Sequence, residues 1–367
     1  MASITLPKIQ KALVISKIGQ SAVQSRPVRL PTGREVLVKV HSVGLNHLDY
    51  VQMHFGMMVH QLPTVIGSDV GGTVVALGPD VVNPSEIKVG TRALVFGTNF
   101  FRQTDPDFGS YQEYVMTEDS YISPIPENID FDTAATFPMG VWTAWAGLYT
   151  AGITLPLSES AIEFSETVKN ENSSKALLIW GTGSSVGVSA LQNAVEMGYK
   201  VYAIAKSDHH EELLKLGAYK VFDYKEQDVV DKIVETVKSD SGSLALRTAL
   251  VAVKEATPTI NIFSRLVSEL NIDPSEFKIA SAPRISDEDQ KLADESGLSI
   301  KFVTAPDNYQ EFFFWVYRKW LPPNLASGKF VATQKPRLVE GGLAGVDAGL
   351  KILQDYAVSG EKLVINV

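Results

Sequence analysis

Apolar and polar residues alternate through roughly the first third of the chain. "REVLVKVHSVGLN", "TVIGSDVGGTVVALG", "GTRALVFGT" and "GSYQEYVMT" follow one another at short spacing with glycine between them. That pattern predicts many short strands and a β-rich, barrel-like sheet. From Phe131 the period changes. "DTAATFPMGVWTAWAGLYTAG" carries small and apolar residues at helical spacing, with Pro138 placed to start a helix. A polar stretch over 158–175 reads as a surface excursion. Strands at 176–180, "YKVYAIA" and "AYKVFDY" then alternate with helices at 185–197, 209–216 and 228–238. Strand and helix in this rhythm predict βαβ units on a parallel sheet, continued by "ALRTALVAV", "FKIASA" and "SIKFVTA". An aromatic helix, "NYQEFFFWVYRKWL", and a last strand, "EKLVINV", return the chain to its first domain. The expected organisation is a β-rich domain from 1–128 and 306–367 around a parallel α/β domain at 129–305.

Composition narrows the class. At 367 residues, 45% hydrophobic and 20% charged, the chain can build two ordinary globular cores. A net charge of −9 argues against nucleic acid and anionic membrane as partners. Zero cysteines exclude disulfides and thiolate-bound zinc. "MASITLPKIQKALVI" lacks the apolar run of a signal peptide, and no stretch approaches the ~18 apolar residues of a spanning helix. A cytoplasmic protein is expected.

The candidate chemistry begins at "LLIWGTGSSVGVSALQ". Gly181, Gly183 and Gly187 lie where a strand hands over to a helix, with Ser184, Ser185 and Val186 between them. Such glycines allow a tight turn, close approach to a pyrophosphate and close helix packing, and the helix start offers unpaired N–H groups to an anion. The spacing, G-x-G-x-x-x-G, is one residue longer than the usual dinucleotide fingerprint, and a tight turn without a ligand is the alternative. Together with the βαβ series it predicts a Rossmann domain. The next strand ends in Lys206 and Ser207, a cation and a hydroxyl suited to the 2′-phosphate of NADPH. Asp208 is the counter-argument, because a carboxylate there would suit the ribose of NAD.

Several segments together resemble a family. "VLVKVHSVGLNHLDY", "IGSDVGGTVVALGPDV", "VGTRALVFG", "GSYQEYVMTEDSYISPIPENIDFDTAATFPMGVWTAWAGL" and "SGEKLVINV" resemble the medium-chain dehydrogenase/reductase superfamily. They are most similar to its zinc-independent quinone-oxidoreductase branch and the related fungal enoyl reductases. The resemblance implies a GroES-like catalytic domain and a Rossmann domain. The zinc-dependent branch carries Gly-His-Glu where this chain has Gly67, Ser68 and Asp69. His41, His47, His54 and His60 crowd the first domain, but their spacings collect them on no single face, so no metal is expected.

Without a Lewis acid, hydride addition to an activated C=C bond or a quinone is less demanding than carbonyl reduction, because the charge spreads over an enolate. By the family motif, Asn46 falls at the active site, where it could bond the ribose or the substrate oxygen, and Asp49 caps or orders the turn. Thr143 falls beside the nicotinamide, its alternative being a hydroxyl bonded back to its own helix. His47 and Tyr50 are candidate proton donors. Many fungal relatives carry a lysine where this chain has Val51. The resemblance also implies cofactor contacts from Tyr224, Val253, Ser281 and Lys362, the last to a phosphate. The aromatic segment around Phe313 is either core or a pocket wall. The expected partner is a small apolar or conjugated carbonyl compound, and the expected assembly a monomer or homodimer. Alternative functions are a trans-acting enoyl reductase of a polyketide pathway and a non-catalytic NADPH sensor.

Overall fold

The computed structural model describes residues 6–155, 157, 164–355 and 358–367. The chain divides into two compact units, Met1–Met139 with Gln310–Val367, and Gly140–Tyr309. The divisions fall inside the helices Pro138–Thr150 and Tyr309–Phe314.

The first unit opens with strands β1 (Ile9–Lys17) and β2 (Gln20–Pro27), an antiparallel hairpin that the alternation above does not single out. Then come β3 (Glu35–Gly44), β4 (Asp69–Leu77), β5 (Arg92–Phe96), β6 (Tyr114–Glu118) and β7 (Ile122–Pro124). The apolar run "TVIGSDVGG" becomes strand only from Asp69; Gly67, at φ +98°, belongs to the loop before it. Between β3 and β4 lies a helix, His47–Phe55, that the hydrophobic pattern conceals. Its buried positions are Asp49, Gln52 and Met53, two of them polar.

The second unit supplies β8 (Lys175–Trp180), β9 (Lys200–Ala205), β10 (Lys220–Asp223), β11 (Ala245–Val251), β12 (Lys278–Ser281) and β13 (Ser299–Phe302). All pairings are parallel, in the order β10-β9-β8-β11-β12-β13. Renumbered within the unit this is 3-2-1-4-5-6, the order of a doubly wound Rossmann sheet. Helices Ser185–Glu196, His210–Lys215 and Val229–Asp240 match the expected ones within two residues at each end. Helices Thr257–Leu270 and Asp287–Glu295 complete the alternation. The polar stretch expected at the surface lies outside the described residues at 158–163. Beyond it, helix Glu166–Asn172 buries no residue and is capped by Ser165, whose hydroxyl accepts the Val168 N–H.

In the first unit the chain closes with β14 (Lys335–Leu338) and β15 (Glu361–Asn366). β15 pairs antiparallel with β3 and completes a sheet ordered β14-β15-β3-β4-β5-β7, with β6 also on β3. The aromatic segment is a short α-helix, Tyr309–Phe314, running into a π-helix, Trp315–Trp320. Phe312, Phe313, Trp315, Tyr317 and Trp320 are all buried, and Phe313 packs on Phe96, Tyr121 and Tyr317. Of the two readings of this segment, the structure shows core. Among the described residues no helix is long and apolar enough to cross a membrane.

Candidate active site and cofactor site

In the second unit, parallel strands bring four carboxyl ends to one edge of the sheet, the edge where ligands bind in doubly wound folds. β8 leads there into Gly181, β9 into Lys206 and β11 into the loop bearing Val253, while β12 ends in Ser281.

The glycine turn is tied to its neighbours by backbone bonds. The N–H groups of Gly181 and Thr182 both donate to the Ile204 carbonyl, at 3.0 and 2.8 Å. Thr182 Oγ1 donates to Ile179 (2.8 Å) and accepts from Ile204 N–H (3.1 Å), pinning β8 to β9. Ser184 is the N-cap. Its hydroxyl donates to the Gly181 carbonyl (2.8 Å) and accepts from Gly187 N–H (3.1 Å). The N–H groups of Ser185 and Val186 begin the helix, where the orphan donors and the positive end of the dipole lie. Gly181 has φ +91°, and a side chain on it would strike Val253 Cγ1. On Gly187 a Cβ would strike the Gly181 carbonyl. The turn is therefore a cradle that backbone alone can line, and it fits a pyrophosphate.

At the end of β9, the Lys206 ammonium is paired with the Asp208 carboxylate. Hydrogen bonding to Asp208 raises the Lys206 pKa, and the same contact lowers that of Asp208. The cation and its counter-argument thus meet as one pair. Ser207 N–H donates to Asp223 at the end of β10 (3.1 Å), and the carboxylate, held also by Lys225 N–H, titrates below its usual range. Tyr224 is 46% exposed beside this group. Sequence reading missed His209, whose ring lies 3.1 Å from where a Gly183 side chain would begin. Nothing in a His-His pair after a strand end signals that contact. Ser281 is buried, with its hydroxyl donating to the Pro283 carbonyl (2.9 Å).

Thr143 is buried in helix Pro138–Thr150. One turn earlier, Gly140 packs against Ser185, with a virtual Cβ 3.0 Å from Ser185 Cβ. The start of the helix carrying Thr143 thus packs on the helix that opens at the glycine turn. Further along the same helix, Thr150 bonds back to Ala146 (2.8 Å), the alternative weighed for Thr143.

In the first unit, Asn46 is the N-cap of helix His47–Phe55, and its backbone N–H donates to Asp49 Oδ2 (2.8 Å). Asp49 thus orders the turn. The same oxygen accepts from Tyr111 Oη (2.6 Å), while Oδ1 has no hydrogen-bond partner among the described residues. Burial pushes the Asp49 carboxyl up to about 7, against the opposing hydrogen bonds of Tyr111 and Asn46. The Asn46 amide donates to Asp69 Oδ2 (3.1 Å) and accepts from Lys362 Nζ (2.5 Å). Lys362 also pairs with Asp69 at 2.9 Å, both side chains being buried. Its ammonium therefore sits among first-unit side chains. Ser68 keeps a buried hydroxyl without a hydrogen-bond partner among the described residues.

His47 has an exposed ring that bonds the Leu353 backbone, yet desolvation by the surrounding protein and the Lys362 ammonium lower its pKa. Tyr50 lies about 100° round the helix from Asp49 and packs against His54 (4.6 Å) and Phe55. The other first-domain histidines are dispersed. His41 stacks on Phe131 and His54 faces Asp347. Among the described residues no three His, Asp or Glu side chains converge as metal ligands.

Comparison with known proteins places this architecture. The family model of the alcohol dehydrogenase GroES-like domain matches residues 32–127. A trans-enoyl reductase from Aspergillus flavipes is 33% identical over 97% of this chain and 98% of its own. Another, from Aspergillus terreus, is 39% identical over 66% of this chain and 77% of its own. An alcohol dehydrogenase superfamily protein from Novosphingobium aromaticivorans superposes with a TM-score of 0.75, covering 98% of this chain and 99% of that one at 19% identity, and so shares the fold. The chain belongs to the medium-chain dehydrogenase/reductase superfamily, oxidoreductases that use nicotinamide cofactors, and to its enoyl-reductase-like branch.

Proposed function

We propose that this protein is an NADPH-dependent, metal-independent enoyl reductase that acts in trans on an activated C=C bond. The observation that carries the reading is the backbone-lined glycine turn, with Lys206 and Ser207 at the end of the next strand. The names of the fungal relatives support enoyl reduction as the reaction. Gly181, Gly183, Ser184, Ser185, Val186 and Gly187 would hold the pyrophosphate, through backbone N–H groups and the helix dipole. Lys206, Ser207 and Tyr224 would receive the 2′-phosphate, and Val253 and Ser281 would flank the nicotinamide end. The chemistry supplied by bound NADPH is hydride donation to the β-carbon of the substrate. Thr143 would orient the ring that donates it, and Asn46 would donate a hydrogen bond to the carbonyl oxygen on which enolate charge develops. The α-carbon would take its proton from water or a weak acid. His47, with its lowered pKa, is neutral at pH 7 and would act as a hydrogen-bonding group. Metal independence is supported by Ser68, which offers no imidazole where the zinc-dependent branch carries the His of Gly-His-Glu, and by a sequence without cysteine.

The test is fluorescence titration with NADPH and NADH, followed by NADPH oxidation with enoyl thioesters, enals, enones and quinones. Tighter binding of NADPH than NADH, with turnover on an enoyl compound, is the expected result. Tight binding without turnover on any acceptor would overturn the catalytic reading, and failure to bind either dinucleotide would overturn the whole. Two variants check the specificity pair. Lys206→Ala should weaken NADPH binding about tenfold and leave NADH unchanged, a charge-assisted bond being lost. Asp208→Asn should instead tighten NADPH, because it frees the Lys206 ammonium. Equal effects on the two cofactors would remove Lys206 from the 2′-phosphate site.

A further inference from the structure

Asp69 and Lys362 form a buried ion pair that the reaction above does not use. Asp69 is fully buried and Lys362 is 7% exposed. The pair is held by further hydrogen bonds. Asp69 Oδ1 accepts the Met139 backbone N–H (2.7 Å), and Oδ2 accepts both Lys362 Nζ (2.9 Å) and Asn46 Nδ2 (3.1 Å). Lys362 Nζ also donates to Asn46 Oδ1 (2.5 Å). Three side chains from three separate places, the turn before helix His47–Phe55, the start of β4 and β15, thus close a ring around one amide.

The ring removes an ambiguity that a free asparagine would have. An amide can rotate end for end with little change of shape. Here the reversed amide would set its NH2 against the ammonium and its oxygen against the carboxylate, and both contacts would be repulsive. The carbonyl end must face Lys362 and the NH2 end Asp69. One N–H is then engaged by Asp69, and the other has a fixed direction. A buried pair of opposite charges holds this choice more firmly than neutral hydrogen bonds would.

We infer that Lys362 and Asp69 are positioning residues that lock the Asn46 amide in the single orientation able to donate to the substrate's carbonyl oxygen. The inference rests on the enoyl-reductase reading of Asn46. It gives Lys362 a different task from contacting the cofactor phosphate, and the two tasks are separable. Lys362→Met should lower kcat at least tenfold while leaving the NADPH Kd within about twofold of wild type. Combined with Asn46→Ala it should cost nothing further, because the amide it orients is already gone. Lys362→Arg should recover part of the lost kcat. Where the single variant does not fold, Asp69→Asn with Lys362→Met leaves no unpaired buried charge and should show the same kcat loss.

A NADPH Kd that rises as much as kcat/KM falls would overturn the inference and put Lys362 on the phosphate. Fully additive losses in the Asn46/Lys362 cycle would overturn it as well, since independent residues add. Failure of the underlying reading looks different: the wild-type protein itself then turns over no enoyl substrate.

Discussion

An alanine at Gly187 is expected to leave a folded protein that has lost most of its affinity for NADPH. Gly187 is the third residue of helix Ser185–Glu196. A Cβ there would run into the Gly181 carbonyl oxygen and lie 2.7 Å from Thr182 Cα. Both obstacles are backbone, so no side-chain tip can swing aside. The strain must be relieved by pushing helix and turn apart, at a cost of about 1–3 kcal/mol for overpacking. Binding suffers more than folding, because the displaced atoms are the ones that organise the anion site. The Gly181 carbonyl accepts both the Ser184 N–H (3.0 Å) and the Ser184 hydroxyl (2.8 Å). Moving it disturbs the N-cap and misaligns the first N–H groups of the helix. The expected Kd for NADPH rises at least a hundredfold, about 3 kcal/mol, in a fluorescence titration at fixed salt. Gly242→Ala is the control, since a Cβ there meets nothing within 4 Å; its affinity and stability should match wild type. A folded Gly187→Ala protein with unchanged affinity would show that no pyrophosphate lies at this turn.

Much of that site was legible in the sequence because its determinants are local. A strand end, three glycines, a capping serine and the next strand end all fall within 27 residues, counting from Trp180 to Lys206. The parallel strands were legible for the same reason, as apolar runs punctuated by turns. The first-unit site was only half legible. Asn46 and Asp49 lie in one motif, but their partners are remote: Tyr111 is 62 residues from Asp49, and Lys362 is 316 from Asn46. No local period announces such contacts. The resemblance implies a phosphate contact for Lys362; what no local pattern announces is its pairing with Asp69 inside the first unit. Helix His47–Phe55 was hidden because its inward face carries Asp49 and Gln52 where an amphipathic helix has apolar residues. Helix Thr257–Leu270 is the opposite case. Its Pro258 start and its buried Ile260, Phe263 and Leu266 carry the apolar helical period that His47–Phe55 lacks.

Asp49 should make the protein lose stability as pH rises from about 4 to about 7. Its carboxyl is fully buried, so the charged form is disfavoured, and the Asp69 carboxylate adds to that effect. Tyr111, the Asn46 N–H and the Lys362 ammonium oppose it, and the balance leaves the group near pH 7. In the unfolded chain the value is about 3.9. The native state therefore holds the proton more tightly. Stability is full below the unfolded value, falls as pH climbs toward 7, and is constant above it. About three pKa units at 1.36 kcal/mol each give about 4 kcal/mol across that window. Glu35 acts in the opposite direction and in a different window. Burial would raise its pKa, but Arg29 and the Thr32 N–H and hydroxyl outweigh burial and bring it to about 2. Its contribution is present above about 4.3 and disappears as pH falls toward 2. Asp49→Asn removes the first effect and leaves the second. The amide leaves a buried N–H unpaired where Oδ1 stood, costing about 1–3 kcal/mol, so the variant should be less stable than wild type at pH 4. At pH 8 it should be at least as stable, because the wild type then carries a buried charge. Urea unfolding at the two pH values should show the difference between variant and wild type shifting by about 4 kcal/mol toward the variant. Tyr111→Phe, by removing a hydrogen bond that favours the carboxylate, should move the wild-type midpoint above 7. Parallel pH–stability curves for Asp49→Asn and wild type would mean that Asp49 is ionised throughout, and that the charges around it, rather than burial, set its state.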